Sequence, residues 1–145
     1  MEINKSIATF GIRIILGLIF LMQGYGKVFT IGVRNLIEMD FFHNTFKDLL
    51  PFWLIKSTAY YTSYIELICG ALLLVGFKVF PSLYALLSVL VIVTFGHGLA
   101  EPIWDLSHLM YRLILIVSLL FVPNEWDKFS IDNYIKQQKA KNIKL

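Results

Sequence analysis

Four long apolar blocks, separated by short polar interruptions, organise this chain. They run from about Ile7 to Val28, Thr58 to Val75, Pro81 to Leu99 and Ile103 to Val122. Each holds roughly 17–22 residues, which at a helical rise of about 1.5 Å is enough to cross a hydrocarbon core of about 30 Å. In lipid an open strand would leave its backbone groups without partners, so every block is predicted to be helical. The punctuation agrees. Ser57 can cap the start of the second block and Gly76 can end it, while Pro81 fits the first turn of the third. The connection Gly76–Phe80 is short enough to make blocks two and three antiparallel neighbours. Pro102 bends or opens the passage into the fourth block, and Pro123 ends it. The predicted fold is an all-α, polytopic membrane four-helix bundle.

The pattern weakens between blocks one and two. In "LIEMDFFHNTFKDLLPFWL" acidic and aromatic residues alternate without a spanning run, and Phe42, Phe46 and Leu49 fall on one helical face. A short interfacial helix is expected there. Trp53, Tyr60, Tyr61 and Tyr64 read as an aromatic belt where the second span enters the bilayer. After the fourth block, "SIDNYIKQQKAKNIKL" is a basic tail expected to lie against anionic lipid. Residues 1–128 are thus assigned to the transmembrane domain and residues 129–145 to the tail.

Composition narrows the class. Of 145 residues, 57% are hydrophobic and the mean hydropathy is +0.69, against about 45–50% apolar residues in soluble domains. No room is left for a separate soluble enzyme domain. The net charge of +3 gathers in the tail, without the interleaved aromatics of a nucleic-acid surface, so no nucleic-acid partner is expected. A single cysteine, Cys69, excludes an intramolecular disulfide and a CxxC mechanism within this chain, and reads as a small buried hydrophobe. The first block resembles a signal peptide, but Arg13 interrupts it and "LMQGYGKVF" offers no small-x-small cleavage site, so it is expected to stay as the first span. Lys5, Lys78, Lys128, Lys136, Lys139, Lys141 and Lys144 would share one side of the membrane. Lys27, Arg34, Lys47 and Lys56, diluted by Glu38, Asp40 and Asp48, would share the other. By the positive-inside rule both termini are predicted cytoplasmic.

Polar residues at membrane depth carry the candidate chemistry: Arg13, Gln23, Lys27, Glu66, His97, Glu101, Asp105, His108 and Arg112. Such groups usually face a bundle interior and pair with one another. At about 100° per residue, Arg13, Gln23 and Lys27 share a face with Gly17 and Gly24, and Glu66 shares one with Ser63 and Gly70. Small residues on those faces permit close helix approach. His97 and Glu101 stack at the end of the third helix; Asp105, His108 and Arg112 share a face of the fourth. Glu66 and Arg112 lie at similar depth with opposite charge, so an ion pair between them is expected, with Arg13 as an alternative partner for Glu66. Together these groups describe an outward-opening polar pocket with apolar walls. Its expected ligand-binding residues are Gln23, Lys27, Glu66, His97, Glu101, His108 and Arg112. Such a pocket suits a quinone headgroup or a lipid-like ligand, with a histidine bonding a carbonyl and a glutamate relaying its proton. The plainer reading keeps Glu66–Arg112 as a packing device and leaves the histidines in a solvated corner. The paired Glu-x-x-His motifs of a di-iron bundle are missing, so no metal site is expected. Ser107 and His108 are sequence neighbours that face different directions on a helix, so they make no nucleophile–base pair, and Ser107 reads as a cap.

The string "RIILGLIFLMQGYGKVF" resembles the first helix of the DoxX family. "YIELICGALLLVGF" resembles its second, His97 ends a similar third, and "DKFSID" resembles its close, although "VPNEWDKFSID" lacks the glycine-rich turn usual there. The resemblance covers nearly the whole chain except the tail. It implies a small four-helix protein of bacterial cytoplasmic membranes, acting with an oxidoreductase partner subunit or in an oxidative-stress system, and points at Arg13, Lys27, Glu66 and His97. The expected function is a membrane component of such a redox system, an accessory subunit rather than an enzyme by itself, with quinone the expected ligand; homo-oligomers are allowed by the glycine faces. The alternatives are a non-enzymatic assembly factor or anchor that docks partners through residues 29–56 and the tail, and, more remotely, an oligomeric carrier of a small solute.

Overall fold

The computed structural model of the chain describes residues 2–39, 45–46, 48–100 and 107–142. Helix α1 (Glu2–Tyr25) continues without a break into a π-helical segment, Gly26–Ile31. There follow a short α2 (Val33–Glu38), then α3 (Phe52–Val75), α4 (Val79–Ala100) and α5 (Ser107–Phe121). A single 3₁₀ turn, Asn124–Trp126, leads to α6 (Ile131–Asn142). Among the described residues there is no strand. Among the described residues three helices are long and apolar enough to cross a membrane: Glu2–Ile31, Phe52–Val75 and Val79–Ala100. Helix α5 is apolar but shorter, at 15 residues.

The helices pack in the order α1, α3, α4, α5, with α5 returning to α1. Leu16, Phe20, Leu73, Leu83, Leu86 and Ile116 are fully enclosed where they meet. Ile15, Leu18, Met22, Ile68, Val91, Phe95 and Ile114 face outward. Large apolar side chains on both faces of a helix are what a lipid solvent requires, and water would penalise them. Glycines set the tightest contact. A Cβ on Gly24 would stand 2.3 Å from the Leu67 backbone nitrogen, one on Gly70 2.4 Å from that of Leu21, and one on Gly17 3.1 Å from the Gly70 carbonyl. The inward glycine faces read from the sequence are therefore the α1–α3 seam.

The connection from α3 to α4 follows its residues. Gly76 adopts the left-handed conformation (φ 70°) and Phe77 N–H returns to the Leu72 carbonyl at 3.0 Å, a Schellman close. Pro81 falls in the first turn of α4, where no intrahelical N–H is needed. Two expectations are corrected. Ser57 does not cap α3: the helix starts earlier, after Pro51, and Ser57 Oγ instead donates to the Trp53 carbonyl within it. Phe46 and Leu49 do not share a face, since Phe46 is buried and Leu49 exposed. Thr45 and Phe46 are helical, inside the stretch where a short helix is expected, and α2 is a further short helix before it, with Val33 and Ile37 packed on Ala59. Phe42, the other residue of that expectation, lies outside the described residues.

Candidate functional site

Two buried ion pairs tie α1 and its π extension to the rest of the chain, one from Arg13 in the middle of α1 and one from Lys27 on the π segment. At the end of the bundle shared with the α3–α4 turn, Arg13 is wholly enclosed (0% exposed). Its Nε donates to Asp127, 3.1 Å from one carboxylate oxygen and 3.3 Å from the other. Its Nη1 donates to the Leu73 carbonyl and, at 3.1 Å, to that of Leu74, and Nη2 donates to the Phe129 carbonyl at 3.0 Å. Leu73 and Leu74 belong to the last turn of α3, where the Leu73 carbonyl also takes the Gly76 N–H at 3.2 Å and the carbonyls carry the negative end of the helix dipole. A guanidinium suits that place because it offers several donors in a fixed plane. The expectation that Arg13 competes for Glu66 is corrected: the chain after α5 folds back and supplies its own carboxylate.

The same return closes α4. Asp132, on the first turn of α6, accepts the backbone N–H groups of Lys78 and Val79 at 2.9 Å each, doing for α4 what a local cap would do. Ser130 Oγ accepts Asn133 N–H and so caps α6 itself. The tail assigned to residues 129–145 thus begins with residues tied into the helical body. Burial lifts the Asp127 carboxyl above its ordinary range, although Arg13 and Ser130 pull it back. Lys128 reaches Glu2 at 3.7 Å and Lys5 lies over the Trp126 ring, which brings the start of α1 to this end.

At the other end, Lys27 on the π segment reaches Glu66 on α3, with Nζ to Oε2 at 2.6 Å. The carboxylate is buried (2% exposed) and the ammonium partly open (27%). The expected Glu66–Arg112 ion pair is corrected accordingly. Both cations lie on the same cavity wall, but it is Lys27 that comes within bonding distance of the carboxylate, while Arg112 acts on it from farther away. The π segment sits on the neighbouring helix across the glycine seam, and the flexible lysine stem covers the remaining gap. Arg112 stays close enough to act on the Glu66 charge, with its guanidinium 6.0 Å from the Phe20 ring centre.

These groups line a cavity of about 280 Å³. Gln23, Lys27, Glu66, His97, His108 and Arg112 contribute its polar wall; Phe46, Leu50, Ile55, Ile92 and Val93 contribute much of its apolar wall, with Thr58 and Thr62 between. The His97 and His108 rings meet edge to face with centres 5.7 Å apart, joining the end of α4 to the start of α5. The Gln23 amide oxygen is buried and has no protein donor among the described residues. Glu101 and Asp105 lie outside the described residues. No trio of His, Cys, Asp or Glu among the described residues has metal-binding geometry. Reading the sequence grouped Lys27 with this pocket but did not pair it with Glu66. Asp127 and Asp132 were passed over as sites, and their only signal was the family-like "DKFSID".

The cavity is slightly smaller than the roughly 300–1,000 Å³ usual for whole small-molecule sites. It fits one substituted ring or a short polar headgroup. A quinone carbonyl only accepts, so the orphaned Gln23 oxygen suits a head that carries a hydroxyl or N–H, while the Lys27, His97 and His108 N–H groups on the same wall are of the donor kind a carbonyl needs.

Compared with known proteins, residues 8–98 match the family model DoxX. That stretch runs from α1 to the end of α4 and contains Arg13, Gln23, Lys27, Glu66 and His97. No curated protein and no solved structure matches the chain.

Proposed function

The chain belongs to the DoxX family of membrane proteins, and from that premise we propose that it serves as a non-catalytic membrane component of a redox or oxidative-stress system. In this reading α5 is the fourth span of a four-helix bundle, both termini face the cytoplasm of a bacterium, and the cavity opens toward the outer face of the inner membrane. The cavity holds the headgroup of a quinone-like or lipid-like ligand. Gln23 and His97 hydrogen-bond it, and the Lys27–Glu66 pair and Arg112 set the field around it. A bound quinone would supply electron transfer; the chain's own residues bind and orient its head. The redox partner is an oxidoreductase subunit, and self-association is compatible with the same role.

One observation carries this reading: polar side chains from α1, the π segment, α3, α4 and α5 converge on a single cavity with apolar walls. A chain needing only a packed bundle would fill that volume with side chains. The test is binding of a short-chain quinone analogue to purified protein in nanodiscs, followed by tryptophan quenching. Saturable binding that weakens about tenfold in His97→Ala or Glu66→Gln supports the reading. Undetectable binding to the native chain, with membrane redox phenotypes unchanged in both variants, sinks it.

A second reading, an anchor or assembly factor, draws on α6. Ile131 and Tyr134 are exposed on it, and Phe129 just before it, beside Lys136, Lys139 and Lys141. Loss of partner pull-down on neutralising those lysines, with cavity variants unaffected, would favour it.

A further inference from the structure

Helix α6 carries an apolar face that the rest of the described chain leaves uncovered. None of its residues is buried. At about 100° per residue, Ile131, Tyr134 and Ile135 fall within an arc of about 100°, with Lys139 on one edge and Lys141 on the other. All five are exposed. The opposite side is the one that meets the bundle: Asp132 accepts the N–H groups of Lys78 and Val79, and Lys136 stands 3.9 Å from Glu125. The outward face turns polar at Gln138, so its apolar part lies in the turns nearest the bundle. An apolar arc edged by lysines is the pattern of a helix that lies in a lipid–water boundary.

Two contacts fix where that face begins. Asp132 ties the first turn of α6 to the connection between α3 and α4, which are both long and apolar enough to span, so this connection marks a membrane boundary. Just before α6, the Phe129 ring meets the Phe10 ring edge to face with centres 5.6 Å apart. Phe10 shares the outward face of α1 with Ile3 and Ile7. The lipid-facing surface of α1 thus runs through Phe129 to the start of α6. Charge then decides what covers the rest. The carboxylates at this end are engaged: Glu2 with Lys128, Glu125 with Lys136, Asp127 with Arg13, and Asp132 with the backbone of α4. Lys139 and Lys141 meet no carboxylate among the described residues. Ile143, Lys144 and Leu145, which follow α6 in sequence, bring no acidic side chain. The acidic residues outside the described ones, Asp40, Glu101 and Asp105, precede α3 or follow α4 in sequence, away from the α3–α4 connection.

We propose that α6 lies in the surface of an anionic bilayer, with Ile131, Tyr134 and Ile135 at the acyl boundary and Lys139 and Lys141 on lipid phosphates. The inference is independent of the cavity, and it assigns to lipid the surface that the anchor reading gives to a protein. The experiment reads amide hydrogen exchange in the full chain, one chain per nanodisc. One set of discs is phosphatidylcholine alone; the other adds phosphatidylglycerol to about 30%, which gives the surface a negative potential. Exchange over Tyr134–Lys141 is expected to slow about tenfold or more in the anionic discs, and to return toward the neutral-disc rate in about 0.5 M salt. Lys139→Gln combined with Lys141→Gln should remove most of that difference, about fivefold per lysine, while exchange in α3 stays unchanged. Ile135→Ser should speed exchange in both lipids. Equal rates for the native chain in the two lipids overturn the proposal and leave the face to a protein. Protection seen only with two chains per disc, whatever the lipid, overturns it as well and gives the face to a second copy. The native-chain comparison needs no variant, so it decides the matter even if a substitution disturbs the fold.

Discussion

Arg13–Asp127 and Lys27–Glu66 are both buried ion pairs made by α1 and its π-helical extension, yet they do different things. Around Arg13 the protein supplies an acceptor to each guanidinium nitrogen, and the side chain is 0% exposed. Around Lys27 the ammonium is 27% exposed, and the wall it belongs to keeps a buried Gln23 amide oxygen that has no donor among the described residues. Burial of charge does not by itself mark a site. What marks one is hydrogen-bonding capacity left over after the protein has used its own.

The sharpest way to break that contrast is to remove each cation. Arg13→Met leaves Asp127 buried without its partner and takes the guanidinium donors from the Leu73, Leu74 and Phe129 carbonyls, and should destabilise by about 3–5 kcal/mol. Lys27→Met leaves Glu66 beside a cavity that water can enter, and should cost only about 1–2 kcal/mol. Thermal midpoints in detergent compare the two; equal losses would erase the distinction. Glycines give the next contrast. Gly76→Ala forces a side chain into left-handed backbone with its Cβ 2.7 Å from Ser130 Cα, for a loss of about 2 kcal/mol. Gly96→Ala meets nothing closer than Phe46 at 3.9 Å, so its stability should stay within about 0.5 kcal/mol. A rank order reversed in the melts would contradict the packing described above.

Asp132→Ala removes the borrowed cap of α4 and should lower stability by about 1 kcal/mol, with amide exchange at Lys78 and Val79 rising first. The smallest effect is electrostatic. Burial raises the Asp127 carboxyl, so the folded chain takes up a proton more readily than the unfolded one. This contribution to stability therefore falls as pH rises from the ordinary carboxylate value through the raised one. The melting midpoint of Asp127→Asn should depend less on pH across that interval than that of the native chain, and identical slopes would remove the effect.

Much of this contrast was legible in one dimension. Apolar block lengths placed the helices, Gly76 closed α3 as its type predicts, and the shared phase of Gly17 and Gly24 marked the α1–α3 seam. The polar faces of Gln23, Lys27, Glu66, His97, His108 and Arg112 meet at one cavity, as their phases imply. Pairing was not legible. Depth along a helix can be read from sequence, but which cation on a shared wall comes within bonding distance of Glu66 is a property of packing, and it is Lys27 rather than Arg112. The π segment also departs from the 100° phase used to place Lys27, and nothing in "GKVFTI" announces it. Asp127 and Asp132 lie beyond the spanning runs, where hydropathy carries no information, and only their return to the α3–α4 turn gives them meaning.

That return has a consequence for how the molecule is made. Asp127 follows Arg13 by 114 residues, and Asp132 comes later still. A ribosome delivers α1, α3 and α4 to the membrane before either carboxylate exists. During that interval Arg13 and the start of α4 must rely on water or lipid headgroups for their hydrogen bonds. The end of the chain then works as a drawstring, pulled tight only when synthesis has passed Asp132. A nascent chain halted earlier has its helices but not its knot, and it presents an unsatisfied arginine that a completed molecule hides.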